Sequence, residues 1–295
     1  VSVLVDLCAG TASVSLYAMA RIGPLCGFMG SKRRYAPALV QALGVDRPDR
    51  VVLVDAGPWG DVWTVLQDEF HRARVAQLLE VWALEDVSAL WERLVSRAPS
   101  ADPAERVAQF LWLQARAAGT IPIWWSAEHQ RWRSPTGAVD AAASCDLASM
   151  TKGLPDRVGR VSSKGIAPSV AGRRGWGSGR RTAGLIARRV RALDVLPWDR
   201  IEVIHGDVRE VAPIPGAVVI LDPPYVGCPR YPVLFPRADV LEVAERHAAV
   251  SRVVVCEAEP LPLDGWTSRR LAEREWVTAS WPIALPEQLD LWRAA

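Results

Sequence analysis

AVVILDPPY, residues 217–225, is an unbroken apolar run that stops abruptly at an aspartate, two prolines and a tyrosine. A short β-branched run bounded by turn-forming residues reads as a strand buried on both faces. The prolines end it, because they fix φ and carry no N–H for a ladder. Working outward, RIEVIHGD (200–207) and RVVVCEAE (252–259) read as two more such strands, with ADVLEVAERHAAV (238–250) as an amphipathic helix between the last two. At the other end of the chain, VSVLVDLCAG (1–10) and RVVLVDAG (50–57) read as strands that flank two helices, TASVSLYAMARIG (11–23) and SKRRYAPALVQALG (31–44). The Trp-rich C-terminal segments are expected to add a closing hairpin. This alternation predicts an α/β fold with a doubly wound, Rossmann-like sheet. Such sheets bind ligands beyond the carboxyl ends of their strands, where Gly10, Asp55, Asp207 and Asp222 all fall.

The two strand-bearing ends are separated by a block of different character. Over 63–118 the apolar positions Leu78, Leu79 and Trp82, then Leu90 and Leu94, recur at helical spacing, and Pro99 and Pro103 divide the stretch. TIPIWW (120–125) leaves short strands and loops open, and beyond Met150 the chain turns rich in Gly, Ser and Arg. The expected organisation is a ligand-binding half over 1–62, a recognition insertion over 63–197 and a second half over 198–295 that carries the Asp222 loop.

Charge is unevenly placed. Residues 152–191 hold eleven Lys/Arg against Asp156 alone, a local charge of +10 in a chain of net +2. That asymmetry is expected of a nucleic-acid-binding face. The five cysteines are scattered without a C-x-x-C pair, and the four histidines show no ligand spacing, so neither a disulfide framework nor a metal site is expected. No apolar run approaches the length of a membrane span. The reading is a soluble, cytoplasmic protein without a membrane partner.

A strand ending in Asp222-Pro223-Pro224-Tyr225 sets a carboxylate, a rigid backbone and an aromatic ring at the lip of a ligand cleft. These parts suit the exocyclic amino group of a nucleic-acid base. Such a nitrogen is a poor nucleophile, because its lone pair is delocalised into the ring. The Asp222 carboxylate and the Pro223 carbonyl could each accept one N–H, aiming the freed lone pair at an electrophile. Tyr225 offers a stacking face for a base swung out of the helix.

DPPYVGCPRYPVLF (222–235) resembles the catalytic loop of the Dam-like, DPPY-type DNA N6-adenine methyltransferases, in which a tyrosine and a phenylalanine commonly follow, as Tyr231 and Phe235 do here. The resemblance implies S-adenosyl-L-methionine as cofactor, duplex DNA as partner and a flipped adenine as target. DLCAGTASVSL (6–16) is similar to the family's D-x-F-x-G-x-G-S loop. By that likeness Asp6, Ala9, Gly10, Thr11, Ala12 and Ser13 would line the methionine half of the cofactor, with Cys8 and Ala12 departing from the usual Phe and Gly. GFMGSKRRYA (27–36) resembles the F-x-G-G-K element, implying cofactor contacts from Phe28, Met29, Gly30 and Lys32, although here the element follows the Gly loop instead of preceding it. By the same analogy Asp55 would hold ribose hydroxyls and Asp207 would sit near the adenine ring. DAGPWGDVW (55–63) is a rival small-residue loop for the methionine end. In the basic stretch, Arg173, Arg174, Trp176, Arg180 and Arg181, together with Tyr231, are the candidate DNA contacts. RNA adenine or guanine methylation, DNA N4-cytosine methylation and a catalytically silent nucleic-acid-binding relative are the alternatives.

Overall fold

The computed structural model describes residues 2–26, 32–117, 122–134, 137–139, 182–225, 233–272 and 275–283. Its centre is a seven-stranded sheet built from β1 (Val3–Leu7), β2 (Arg50–Asp55), β6 (Ile201–His205), β7 (Val218–Leu221), β8 (Arg252–Glu257), β9 (Thr267–Ala272) and β10 (Glu275–Ala279), in spatial order β6-β2-β1-β7-β8-β10-β9. The first five are parallel to one another; β10 runs antiparallel between β8 and β9. The expected Trp-rich hairpin is therefore the β9–β10 pair.

The inner strands lack polar alternation because both their faces are covered. Leu4, Leu53, Ile220 and Val254 belong to one core and Val5, Val52, Val219 and Val253 to the other. On the first face lie α1 (Ser13–Ala20) and α2 (Ala36–Leu43), which connect β1 to β2, and α3 (Pro58–Gln67), which leaves β2. The second face is covered by α8 (Arg237–Ala248), through Val240, Val243 and Ala244. From β1 the chain winds outward to β2 and β6, and from β7 it winds the other way to β8. The direction reverses between β1 and β7, so their C-terminal loops flank the crevice where such sheets take ligands.

The helix expected over 31–44 is split. Lys32–Arg34 forms a 3-10 turn, and α2 begins only at Ala36, with Pro37 in its first turn. A proline there needs no N–H partner and presets the helical φ, so it starts the helix. Among the described residues, β2 is followed in succession by α3, α4 (Glu69–Trp82), α5 (Val87–Val95) and α6 (Pro103–Arg116). The last three open on aspartate caps: Asp68 accepts from His71 N at 2.8 Å, Asp86 from Ser88 N at 3.0 Å and Asp102 from Glu105 N at 2.8 Å. Each such cap contributes about 1 kcal/mol.

A small antiparallel sheet follows, β3 (Trp124–Ser126), β4 (Arg131–Ser134) and β5 (Gly137–Ala138), in which Trp125 and Trp132 pair across the strands and meet edge to face at 5.8 Å. A further helix, α7, spans 182–192 and buries Ala183, Ile186, Ala187 and Val190 along one stripe. It is tied to α4 by Arg191, which grips Glu80 at 2.8 and 3.0 Å. Leu79, Leu90, Leu111 and Ile186 share one continuous core with Leu4 and Leu53 of the sheet. The expected boundary at 62/63 falls inside α3, which packs directly on β2 and β6. Among the described residues no helix is long and apolar enough to cross a membrane.

Candidate active site

The loop after β1 has an unusual backbone. Cys8, Gly10 and Ala12 all adopt left-handed φ, at 63°, 49° and 48°. Outside glycine that conformation costs about 1–2 kcal/mol, so surrounding bonds must impose it. Ala9 N donates to Val54 O at 2.8 Å, Ala12 N to Ala9 O at 2.7 Å, and Trp63 Nε1 to Gly10 O at 2.7 Å. Gly10 N donates to Asp55 Oδ2 at 2.9 Å. Ala12, where the resembling loops carry glycine, thus keeps a glycine-like conformation and caps α1 without a side-chain bond. Thr11 and Ser13 share a hydroxyl hydrogen bond at 2.8 Å, and Ser15 Oγ donates to Asp6 Oδ2 at 2.6 Å.

Asp55 joins the two rival small-residue loops. Its second oxygen accepts from Gly57 N at 2.7 Å, so one carboxylate ties the turn after β1 to the turn after β2. Burial raises its pKa, against the pull of these N–H donors. The glycines of the second turn are explained by packing. A Cβ on Gly57 would come within 3.1 Å of Asp55 Oδ1, and one on Gly60 would overlap the Asp55 carbonyl oxygen and the His205 ring. The expected ribose acid is therefore already doubly bonded within the protein, with further lone pairs on the same oxygens. Asp207 is also engaged: it accepts from Arg209 N at 2.9 Å and pairs with that residue's guanidinium, which holds its pKa down.

The tetrapeptide continues β7. Asp222 N donates to Leu7 O at 3.2 Å, which keeps the aspartate in register beside the turn after β1. Its Oδ1 accepts from Lys32 Nζ at 2.7 Å, and the same ammonium lies 3.2 Å from Glu275 Oε1, at the start of β10. Tyr225 OH donates to Glu275 Oε1. Lys32 Nζ also sits 4.7 Å from the centroid of the Tyr225 ring. The lysine side chain is 3% exposed. A buried ammonium is tolerable only when it is paired and hydrogen-bonded, and here two carboxylates and a ring face serve it. Burial pulls the Lys32 pKa down, but Asp222 and Glu275 more than reverse that.

Negative groups dominate this corner. Asp6, Asp222 and Glu275 gather near Lys32, with Asp55 acting on Asp6, and burial pushes the pKa of each carboxyl up. For Asp6 the value reaches about 7, through burial first, with the Ser15 hydrogen bond opposing and the charges of Asp222 and Asp55 adding to the rise. The thiols of Cys8 and Cys256 are likewise driven well above their usual range by burial, which makes them inert at neutral pH. A donor set of carboxylates, backbone carbonyls and a single shared ammonium suits a cationic ligand. Among the described residues no group of His, Cys, Asp and Glu is arranged to hold a metal ion.

The structure therefore brings Asp6, Ala9, Gly10, Thr11, Ala12, Ser13, Asp55, Lys32 and Asp222 to one end of the sheet at the β1/β7 crevice. Lys32, expected as a cofactor contact, has its ammonium on Asp222. Phe235 is partly buried and packs against the core of the second face. Phe28, Met29, Gly30, Arg173, Arg174, Trp176, Arg180, Arg181 and Tyr231 lie outside the described residues. Sequence reasoning missed Glu275. Its one signal was an acid opening an apolar strand, EWVTA, where a solvent-facing position is the ordinary expectation.

Fold and site together define the chain as a doubly wound α/β protein whose polar residues converge at the sheet's switch point. No protein-family model matches the sequence, and no curated protein matches it. Among solved structures, the chain is similar to an rRNA methyltransferase, aviRa, from Streptomyces viridochromogenes, at 11% identity and a TM-score of 0.29, over 94% of this chain and 75% of that one. A likeness of that degree bears on neither activity nor substrate.

Proposed function

We propose that the protein is an S-adenosyl-L-methionine-dependent methyltransferase that modifies the exocyclic amino group of a nucleic-acid base, with adenine N6 in duplex DNA as its target. The observation that carries this reading is the Asp222 carboxylate at the end of β7, fixed by Lys32 at 2.7 Å beside the strained turn after β1. The site's chemistry fits the cofactor: carboxylates outnumber the one ammonium, and a sulfonium brings the missing positive charge. When bound, the cofactor supplies an electrophilic methyl group on sulfur.

The chain's own residues do the rest. Ala9 to Ser13 offer a backbone close enough for the methionine end, because their side chains are small. This turn is favoured over Gly57–Gly60, whose glycines are accounted for by the packing of α3. Asp222 and the Pro223 carbonyl accept the two amino hydrogens, and Pro224 keeps the loop from rearranging. Lys32 holds Asp222 by its Oδ1. Tyr225 is locked by Glu275 through its hydroxyl and has Lys32 against its ring, so the opposite face of the ring is the one for a flipped base. As nitrogen gains the methyl group it releases one proton, for which Asp222, with its raised pKa, is the adjacent acceptor.

Incubation with methyl-tritiated S-adenosyl-L-methionine and either duplex DNA or total RNA, followed by digestion to nucleosides, tests the reading. Label in N6-methyladenine from DNA supports it. Label in RNA alone moves the substrate to RNA, and no label in either refutes methyl transfer.

A further inference from the structure

Among the described residues, the arginines of the basic stretch, Arg188, Arg189 and Arg191, are of two kinds. Arg191 is neutralised by the two oxygens of Glu80. Arg188, exposed on α7, and Arg189, half-buried beside it, have no carboxylate partner among the described residues. The same holds for Arg33 and Arg34, both exposed on the 3-10 turn that begins with Lys32. One arginine of each pair reaches residues 23–25. Arg189 Nη1 donates to Leu25 O at 3.2 Å, and a Cβ on Gly23 would stand 3.9 Å from Arg33 Nε. Arg21, Arg93 and Arg106, by contrast, are each paired with a carboxylate, Asp46, Glu85 and Asp61.

We infer that Arg33, Arg34, Arg188 and Arg189 form a docking edge for the phosphodiester backbone of a nucleic acid, one residue along the chain from the lysine that holds Asp222. Unmatched cations drawn together repel one another, and a polyanion relieves that repulsion while releasing its own counterions. Arg189 registers the crowding: burial lowers its pKa, and Arg33 and Arg188 lower it further. The cations sit as pairs on two separate elements, which suits successive phosphates along a strand. Because Arg33 and Arg34 share a turn with Lys32, backbone docking on this edge sets the register of the strand relative to the Asp222 loop. The choice of nucleic acid as partner rests on the proposed function, but the binding itself requires no turnover.

The test is fluorescence anisotropy of the full chain with a labelled DNA duplex and a labelled RNA hairpin of equal length, across a salt series. Wild-type protein is expected to bind at least one, and the Arg33→Gln/Arg188→Gln variant to bind it more weakly, with a log–log salt slope shallower by about 1 per arginine. Arg191→Gln, which removes a charge already matched, is the control and should keep the wild-type slope. An unchanged slope and affinity in the double variant, with its thermal midpoint preserved, overturns the docking edge, as does failure of the wild type to bind either probe. The two readings fail separately. Salt-sensitive binding lost in the double variant, without methyl transfer by the wild type, refutes only the enzyme; methyl transfer with an unaltered salt slope refutes only the edge.

Discussion

Lys32 Nζ lies 2.7 Å from Asp222 Oδ1 across a sequence separation of 190 residues. The pair closes the sheet's switch point, because one partner follows α1 and the other ends β7. Glu275 shares the same ammonium at 3.2 Å and draws the C-terminal hairpin into the arrangement.

Replacing Lys32 by Met should therefore be costly. It leaves Asp222 and Glu275 buried without their cation, and removing one partner of a buried pair typically costs about 3–5 kcal/mol. Chemical denaturation checks this; a variant as stable as the wild type would show that the pair is not buried as described.

Glu275 acts through its neighbours, as a positioning residue. Glu275→Gln keeps the shape and removes one claim on Lys32, whose charge then serves Asp222 undivided and draws its pKa down from the value burial gives it. The acid limb of the pH profile of kcat/KM should move to lower pH, with little loss of stability. An acid limb that stays in place would leave Glu275 with a structural role alone.

Asp6 gives a stability signature with a definite sign. Its pKa is raised from 3.8 to about 7, chiefly by burial. Between those values the folded chain holds a proton that the unfolded chain has released. The stabilisation is complete below the unfolded pKa and is lost as pH rises through 7, at about 1.4 kcal/mol per pH unit at most. Asp6→Asn should flatten that fall. Binding of a cationic cofactor should also release protons near neutrality, measurable by titration calorimetry of wild-type protein with S-adenosyl-L-methionine in buffers of different ionisation enthalpy. Proton uptake instead would contradict the assignment of Asp6 to the cation's site.

Gly60 and Gly184 make a matched pair. At Gly60 a methyl group would overlap backbone oxygen and the His205 ring, whereas at Gly184, in α7, its nearest neighbour would be the Ala83 Cβ at 3.9 Å. Gly60→Ala should destabilise by about 1–3 kcal/mol, the usual cost of overpacking. Gly184→Ala should stabilise by up to about 1 kcal/mol through helix propensity. Thermal unfolding of both separates a packing glycine from a permissive one.

These residues also mark what the sequence could reveal. β1, β2, β7 and β8 were legible because burial on both faces writes itself as unbroken β-branched runs, and the Asp222 tetrapeptide because its break is abrupt. Gly10 and Gly57 looked alike, since a small-residue turn reads the same whether it admits a ligand or a helix; what the structure adds is a packing reason for the glycine at 60. Asp207 was expected near an adenine ring, and nothing in the sequence marks Arg209 as the residue that engages it. Glu275 was invisible for a different reason: its partners, Lys32 and Tyr225, reach it only when the β10 hairpin closes on β8, and no local pattern records that.

The central claim is that Asp222 prepares an amino nitrogen for methylation, and Asp222→Asn tests it most directly, since it keeps the side chain's shape while removing its charge. With methyl-tritiated S-adenosyl-L-methionine and duplex DNA, the wild type should yield labelled N6-methyladenine and the variant essentially none, with cofactor binding retained in both. Undiminished labelling by the variant, or no labelled base from the wild type, would contradict the account.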